Sequence, residues 1–393
     1  APRYLRAISA VATLATTGAL AAQAPASLDA AFAKAEPAIQ SAIDKTGAPG
    51  VAIAVIVGDH VVWAKGYGVA NVEAKAMVTP DTLFQIGSAT KSFTAAAILS
   101  AAAQGVIALD RPVSSYIMGL TACVGAPTLT QLLSHTGGIM DEPDEYGPQG
   151  EDGLGAYQRT WSSEYCLLPP GRAFSYSNSG YALAGLALQE VDKKPYADVM
   201  RERVLKPLGM TRTTFRPTEA MTWPLAVGHT IGRDGKATTV VRPLANDARL
   251  WPAGTLYSTA NEMARFAIAL MNDGRIDGAQ ALPAGVAAKM RTPVADMTAT
   301  GERFDRNDRS VHPRDRLIAE GKTGRHSPTR APQCGCEIVI TGRRRLVHDG
   351  GVLTPSLSLM HGVIGASHQF VRGQQRFFGI RQHHAHGHAH RDR

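Results

Sequence analysis

A serine and a lysine three residues apart open an apolar segment in the first quarter of the chain. The sequence reads FQIGSATKSFTAAAI over residues 84–98, with Ser88 and Lys91 at its centre. Residues i and i+3 share one face of a helix, so the Lys91 amine is expected to point at the Ser88 hydroxyl. A helix N-terminus also offers free N–H groups and a dipole that stabilise negative charge. This pattern is typical of an activated serine nucleophile with an oxyanion donor attached.

A second motif lies 88 residues further on. Tyr176 begins a Tyr-Ser-Asn triplet that ends at Asn178. Tyrosine normally titrates near pH 10, and a cation close to its oxygen lowers that value. Placed beside Lys91, Tyr176 is therefore expected to act as a phenolate-like base towards Ser88. Asn178 offers amide donor and acceptor groups to the same cleft.

The third motif is HDGG at residues 348–351, between two apolar runs. Glycine lets a substrate carbonyl approach the backbone, and the N–H groups of Gly350 and Gly351 are expected to complete an oxyanion hole. A competing Lys-Thr-Gly triplet begins at Lys322, but arginine, proline and polar residues surround it. The sequence favours His348 as the third motif and keeps Lys322 as the alternative.

Hydrophobic spacing indicates strands first, a long helical stretch, and strands again. The predicted elements are a helix over 26–43, a β-hairpin over 51–68, a turn and buried helix over 84–103, a mostly helical stretch over 107–285 that includes a helix over 263–271, and strands over 337–340 and 345–347. Such an order implies a sheet domain closed by both chain ends, with a helical domain inserted.

The three motifs and their flanks resemble the class C β-lactamase and penicillin-binding serine hydrolase superfamily, which includes family VIII carboxylesterases and DD-peptidases. The likeness covers about residues 28–300 and 337–360. It implies an α+β fold (an α/β sandwich), with an antiparallel sheet domain built from both chain ends and flanked by helices. The sheet domain would comprise about 25–85 and 252–360, and the inserted helical domain about 86–251.

The resemblance also implies a role for each motif residue, and such a mechanism needs no metal or cofactor. The amide groups of Ser88 and Gly351 would form the oxyanion hole. The other implied assignments are Ser88 as the acylated nucleophile, Lys91 as its proton partner, Tyr176 as general base and leaving-group acid, Asn178 as a hydrogen-bond partner of the substrate amide or the lysine, and His348 in the place of the family's motif lysine.

Other polar residues are predicted to be structural or exposed. His135 lies in a Ser-His-Thr-Gly-Gly stretch that is a structural turn near the site in the family. His60 and His229 are expected in loops or at the surface. Asp141 begins an acidic segment that lacks the glycine pattern of a calcium loop, so a solvated rim loop is expected there.

The first 24 residues have the features of a secretory signal peptide. Two arginines precede an uncharged run over residues 7–22, and small residues follow it. The mature protein is expected to be exported to the periplasm or beyond, with no stable membrane span after signal removal. In an oxidising compartment Cys123 and Cys166 could pair, although their spacing alone leaves this open.

The positive charge is confined to one end of the chain. The formal net charge is +8, but residues 1–300 carry 25 Lys+Arg against 25 Asp+Glu, and residues 301–393 carry 16 against 8. This distribution argues against a nucleic-acid-binding body. Residues 301–335 form a polar insert, and residues 361–393 a His/Arg-rich tail that lacks the closing strand and helix expected for the family.

Together these features predict an exported serine hydrolase that acts on a small ester, β-lactam or peptide. An esterase is favoured because His348 stands where the lactamases have lysine. The alternatives are a true β-lactamase or a D-amino-acid peptidase, and, in another class, a non-turnover penicillin-binding protein or an inactive relative.

Overall fold

The computed structural model describes most of the chain up to residue 295. The described residues are 26–141, 146–232 and 235–295, with the strand segments 333–334, 337–343 and 362–364. The predicted leader, residues 1–24, lies outside the described residues. The polar insert (301–335) and the terminal tail (361–393) are described only where a strand segment falls within them.

Helices and short strands alternate along the described chain. The helices are α1 (Ala26–Thr46), α2 (Thr90–Ala103), α3 (Leu129–Leu133), α4 (Gly153–Ala156), α5 (Asn178–Asp192), α6 (Tyr196–Met200), α7 (Pro217–Ala220), α8 (Trp251–Gly254), α9 (Ala260–Met271) and α10 (Val286–Arg291). The strands are β1 (Gly50–Val57), β2 (His60–Asn71), β3 (Ala76–Met77), β4 (Phe84–Gln85), β5 (His229–Ile231), β6 (Ala237–Val240), β7 (Tyr257–Ser258), β8 (Arg275–Ile276), β9 (Ala279–Gln280), β10 (Gln333–Cys334), β11 (Glu337–Arg343) and β12 (Gly362–Ile364).

A five-stranded sheet joins the two ends of the chain in the order β12-β11-β1-β2-β3. The predicted hairpin is confirmed as β1 and β2, and the α+β class is confirmed with it. Three pairings of this sheet are antiparallel, as expected, but β1 and β11 run parallel, with Val51 opposite Glu337. No tight turn links these two strands, so turn geometry does not fix their relative direction. The prediction that the tail lacks a closing strand is wrong in part, because β12 lies in it and pairs with β11.

Helix α2 lies at the centre of the hydrophobic core. Phe93, Ala97 and Ile98 are fully buried, and the Phe93 ring stacks on Phe266 of α9 with the ring centres 3.9 Å apart. Alanine has the highest helix propensity and leaves space for close neighbours, which suits a helix that is packed on several sides. Because α2 is held rigidly, the residues at its N-terminus have a fixed position.

The strand predicted over 337–340 is confirmed within β11, and the strand predicted over 345–347 lies outside the described residues. The helices predicted over 26–43 and 263–271 are confirmed as α1 and α9. Strands β5 to β9 interrupt the stretch over 107–285 that is predicted to be mostly helical. The division into a sheet domain and an inserted helical domain stays a prediction. Within the described ranges, none of the helices combines the length and hydropathy that a membrane span requires.

A disulfide joins Cys123 to Cys166, which the spacing had left open. The two residues are 43 positions apart and their Cα atoms lie 6.2 Å from each other. Cys166 also forms an isolated β-bridge with Ile139. The disulfide therefore ties the loop before α3 to the segment around Cys166, which pairs in turn with the residues that precede Asp141.

Removing this disulfide is expected to lower the free energy of unfolding by about 4 kcal/mol, because the cross-link restricts an unfolded loop of this length. The measurement is urea unfolding of the wild type and of the Cys123→Ala/Cys166→Ala variant. The wild type treated with reductant is the matched control and should unfold at the same midpoint as the variant. An unchanged midpoint in both would contradict the expectation.

Candidate active site

Ser88 lies where a short strand turns into the buried helix. Strand β4 pairs with β7, Phe84 opposite Ser258, and a single helical turn over Gly87–Ala89 then leads into α2. Gly87 has φ +54°, a conformation that a side chain at Cβ would strain. The glycine thus permits the sharp turn that leaves Ser88 exposed at the end of α2.

The structure brings Ser88, Lys91 and Tyr176 together. The Lys91 Nζ atom lies 3.3 Å from the Ser88 Oγ atom, as expected for residues one helical turn apart. The Tyr176 hydroxyl donates a hydrogen bond of 2.8 Å to the same oxygen. The serine oxygen therefore has a potential base on one side and a hydroxyl donor on the other.

Lys91 is buried, with only 6% of its surface exposed. Its Nζ atom donates to the Asn178 Oδ1 atom at 2.7 Å and to the Ala253 carbonyl oxygen at 2.6 Å. Burial lowers the pKa of Lys91 to about 7, although the carboxylate of Asp141 opposes part of this effect. A neutral amine has two N–H bonds, which match these two acceptors, and one lone pair that remains for Ser88.

The pKa of Tyr176 is raised, whereas the sequence predicts that a nearby cation lowers it. Burial raises the pKa of Tyr176, and the carboxylate of Asp141 raises it further, against the lowering effect of the Ser88 hydrogen bond. The cation that was expected to lower this pKa is only partly present, because the Lys91 pKa of about 7 leaves a large neutral fraction of that amine at neutral pH. The Tyr176 hydroxyl is therefore a protonated donor in this state and not a phenolate.

Asn178 begins α5 and connects the lysine to an aspartate that sequence analysis had assigned to a solvated rim loop. The Asp141 Oδ1 atom accepts from the backbone N–H of Asn178 at 2.6 Å, and its Oδ2 atom accepts from the Asn178 Nδ2 atom at 3.3 Å. Asp141 lies in a loop, as predicted, but it is half-buried and hydrogen-bonded and not solvated, and the acidic residues at 142, 144 and 145 lie outside the described residues. Asp141 and Asn178 are 37 positions apart in the sequence, and no local pattern predicts their contact.

The His135 ring packs against the Tyr176 ring. The two rings stack with their centres 4.4 Å apart. The His135 Nδ1 atom accepts a hydrogen bond of 3.1 Å from the backbone N–H of Ser177. Burial, with a smaller effect from the Lys91 charge, lowers the pKa of His135 to about 4, so the ring is neutral. His135 thus shapes the site without offering a proton near neutral pH.

His348, Gly350 and Gly351 lie outside the described residues, as does the competing triplet at Lys322.

His60 and His229 differ in their exposure to solvent. His60 is exposed, as predicted, but the surface prediction for His229 is wrong. His229 is fully buried in β5, where its Nε2 atom accepts from the backbone N–H of Val72 at 3.1 Å. Among the residues that the structure describes, no group of three or more potential metal ligands is found.

A family model and several known proteins match most of this chain. A family model described as beta-lactamase matches residues 35–316. Penicillin-binding protein 4 of Amycolatopsis lactamdurans is 31% identical over 254 residues, which cover 63% of this chain and 66% of that protein.

Two solved structures resemble this chain. The octameric penicillin-binding protein homologue from Pyrococcus abyssi has a TM-score of 0.57 and 28% identity, over 66% of this chain and 60% of that one. The D-alanine carboxypeptidase AmpC from Burkholderia cenocepacia has a TM-score of 0.51 and 27% identity, over 67% of this chain and 68% of that one. The chain therefore spans about two thirds of the length of these relatives.

Proposed function

The chain belongs to the beta-lactamase family of serine hydrolases, and we propose that it hydrolyses esters or amides through an acyl-enzyme on Ser88. The observation that carries this assignment is the Ser88 oxygen itself. It lies 3.3 Å from a buried lysine amine and accepts a 2.8 Å hydrogen bond from Tyr176. A nucleophile with both a base and a proton donor in reach is what covalent acyl transfer requires.

Lys91 is the base in the first step. Its pKa of about 7 leaves a large neutral fraction at neutral pH. The two N–H bonds of the neutral amine are engaged by Asn178 and Ala253, so the lone pair is left for the Ser88 hydroxyl. Lys91 accepts the serine proton as Oγ forms a bond to the substrate carbonyl carbon.

Tyr176 supplies the proton that the leaving group needs. As the bond between the carbonyl carbon and the leaving group breaks, the leaving oxygen or nitrogen takes the phenolic proton. The proton held on Lys91 then restores the tyrosine. In the second step Tyr176 passes its proton to Lys91 and takes one from water as the water oxygen bonds to the acyl carbon. Lys91 then returns its proton to the Ser88 Oγ atom as the ester bond breaks, which releases the acid. The Ser88 amide serves as one oxyanion donor, and Gly351, assigned from the family resemblance, as the second.

An ester is the favoured substrate, because His348 stands where lactamases of the family have lysine. A D-alanyl peptide is the second candidate. It is favoured by the likeness to the D-alanine carboxypeptidase AmpC from Burkholderia cenocepacia, which is 27% identical to this chain. The reaction at the carbonyl is the same for both, and they differ in the leaving group that Tyr176 must protonate.

The test compares three substrates under steady-state conditions: a short-chain nitrophenyl ester, a chromogenic cephalosporin and a peptide that ends in D-Ala-D-Ala. Ester turnover above that of the cephalosporin and peptide, lost in Ser88→Ala, supports the esterase. Dominant peptide turnover makes the protein a carboxypeptidase, and dominant cephalosporin turnover a β-lactamase. Mass spectrometry after penicillin treatment locates the acyl group, and labelling of Ser88 without turnover of any substrate would overturn the hydrolase in favour of a penicillin-binding protein.

Export from the cytoplasm is part of the same proposal. It is supported by the signal-like pattern of residues 1–24 and by the Cys123–Cys166 disulfide, since disulfides persist in oxidising compartments. Cell fractionation with thiol alkylation tests it. Recovery of the protein in the cytoplasm with both thiols free would contradict export.

A further inference from the structure

We propose that Asp141 is a positioning residue that fixes which end of the Asn178 amide faces Lys91. This inference rests on the proposed function, because it concerns the base role of Lys91. The oxygen and nitrogen of an asparagine amide have nearly the same shape, so packing alone does not select between its two orientations. A charged neighbour that accepts hydrogen bonds only does select one.

The contacts of Asp141 meet this requirement. Both of its carboxylate oxygens accept hydrogen bonds from Asn178, one from the backbone N–H at 2.6 Å and one from Nδ2 at 3.3 Å. An ionised carboxylate has no proton to donate, so it holds the Nδ2 end of the amide towards itself. The Oδ1 end must then face Lys91, where it lies 2.7 Å from Nζ.

The orientation of this amide decides how the lysine lone pair is used. With Oδ1 towards Lys91, the neutral amine donates to Asn178 and to Ala253, and its lone pair is left for Ser88. With the amide reversed, Nδ2 would donate to Lys91 and occupy that lone pair. Ser88 would then face an amine that has no free electron pair to take its proton.

Of the titratable side chains that surround the Lys91 amine in the described part of the chain, Asp141 is the one that carries a charge at pH 7. The neighbouring titratable side chains are Asp141, Tyr176, Tyr181 and His135. Burial raises the pKa of both tyrosines and lowers that of His135 to about 4, so all three are neutral at pH 7. The carboxylate of Asp141 raises the pKa of Lys91 against the effect of burial.

The experiment exchanges the two side chains. Asp141→Asn replaces one acceptor oxygen with an NH₂ donor and forces Asn178 to reverse. Asn178→Asp sets two carboxylates against each other. The double variant Asp141→Asn/Asn178→Asp restores each hydrogen bond in mirror form and keeps the net charge. Each single variant is expected to lose about 10- to 100-fold in kcat/KM, and the double variant to recover at least about tenfold over the slower single variant.

The pH profile provides a second readout. Removal of the Asp141 charge should move the acidic limb of kcat/KM to lower pH in Asp141→Asn. The double variant places a carboxylate directly on Lys91 and should move that limb to higher pH. A residue that only anchored its loop would give neither the recovery nor the opposite shifts, and Asp141 would then not be a positioning residue.

Asp141→Ala is the control for packing. It removes the carboxylate without introducing a donor, so Asn178 can still present Oδ1 to Lys91. Its loss in kcat/KM should be smaller than that of the better-fitting Asp141→Asn, whereas a packing role predicts the reverse order. Thermal melts show which variants fold. If the double variant does not fold, the order of the losses in kcat/KM for Asp141→Ala and Asp141→Asn distinguishes a positioning role from a packing role. Failure of the proposed function is recognised separately, because the wild type would then be no faster than Ser88→Ala.

Discussion

Replacing Lys91 with methionine is expected to lower kcat/KM for a nitrophenyl ester by about 10³- to 10⁴-fold. Methionine fills a similar volume but has no group that can take the Ser88 proton, which the amine approaches to 3.3 Å. The measurement is steady-state ester hydrolysis by the wild type and the variant. Thermal melts accompany it, because the Asn178 and Ala253 oxygens lose their donor.

Lys91→Arg is the matched control. Arginine keeps the positive charge but is not deprotonated in proteins, so it cannot act as a base. If Lys91 takes the serine proton, the arginine variant should be as slow as the methionine variant. A clearly faster arginine variant would show that the charge of Lys91, and not its lone pair, serves the reaction.

The pH dependence of the wild type follows from the same residue. Lys91 must be neutral to act, and burial places its pKa at about 7. Activity should therefore fall about tenfold per pH unit below that pKa and level off above it. An exposed lysine would put this limb near its ordinary pKa of 10.5. The limb should be absent in Lys91→Met, and a limb that persisted there would belong to another group.

The nucleophile and its lysine were predictable because their relation is local. One helical turn separates Ser88 from Lys91, and helix geometry alone brings their side chains together. The β-hairpin was predictable for a similar reason, since a short turn at Gly58 joins two apolar runs. Tyr176 and Asn178 needed the family motif, because nothing local indicates that Tyr176 meets Ser88 across 88 positions or that Asn178 meets Lys91 across 87.

The role of Asp141 could not be predicted, because it depends on contacts between distant segments. Its sequence neighbourhood is polar, and only the fold places it beside the N-terminus of α5. The error about Tyr176 has a related cause. A sequence shows that a lysine is near, but the charge of that lysine depends on its burial, and burial is a property of the packed structure.

The charge balance of the site explains why these residues act as a unit. Lys91 loses most of its preference for the charged form by burial, and Asp141 returns part of it. The result is an amine with a pKa close to neutral pH. At that pH a large fraction of the amine is neutral and free to accept a proton, and it still binds that proton strongly enough to take it from the serine. A deeper lysine without the carboxylate would be a weaker base, and an exposed lysine would be protonated.

Replacing Tyr176 with phenylalanine is expected to have an effect that depends on the leaving group. The tyrosine hydroxyl donates to the Ser88 oxygen at 2.8 Å, and its raised pKa keeps it protonated. A nitrophenolate departs without a proton, so the nitrophenyl ester should lose only about tenfold in kcat/KM. An alkyl ester or a D-alanyl peptide needs that proton and should lose about 10³- to 10⁴-fold.

The contrast between the two substrate types distinguishes proton donation from two other roles of the tyrosine. If Tyr176 acted as the base towards Ser88, both substrates would slow equally, because both require the serine to be deprotonated. If its ring only packed against His135, 4.4 Å away, the phenylalanine variant would keep that stacking and lose little on either substrate. Parallel kcat/KM measurements on one enzyme preparation, with His135→Ala as the variant that removes the stacking partner, separate these outcomes. Only a larger loss on the poor leaving group than on the nitrophenyl ester agrees with a tyrosine that gives up its proton as the acyl-enzyme forms.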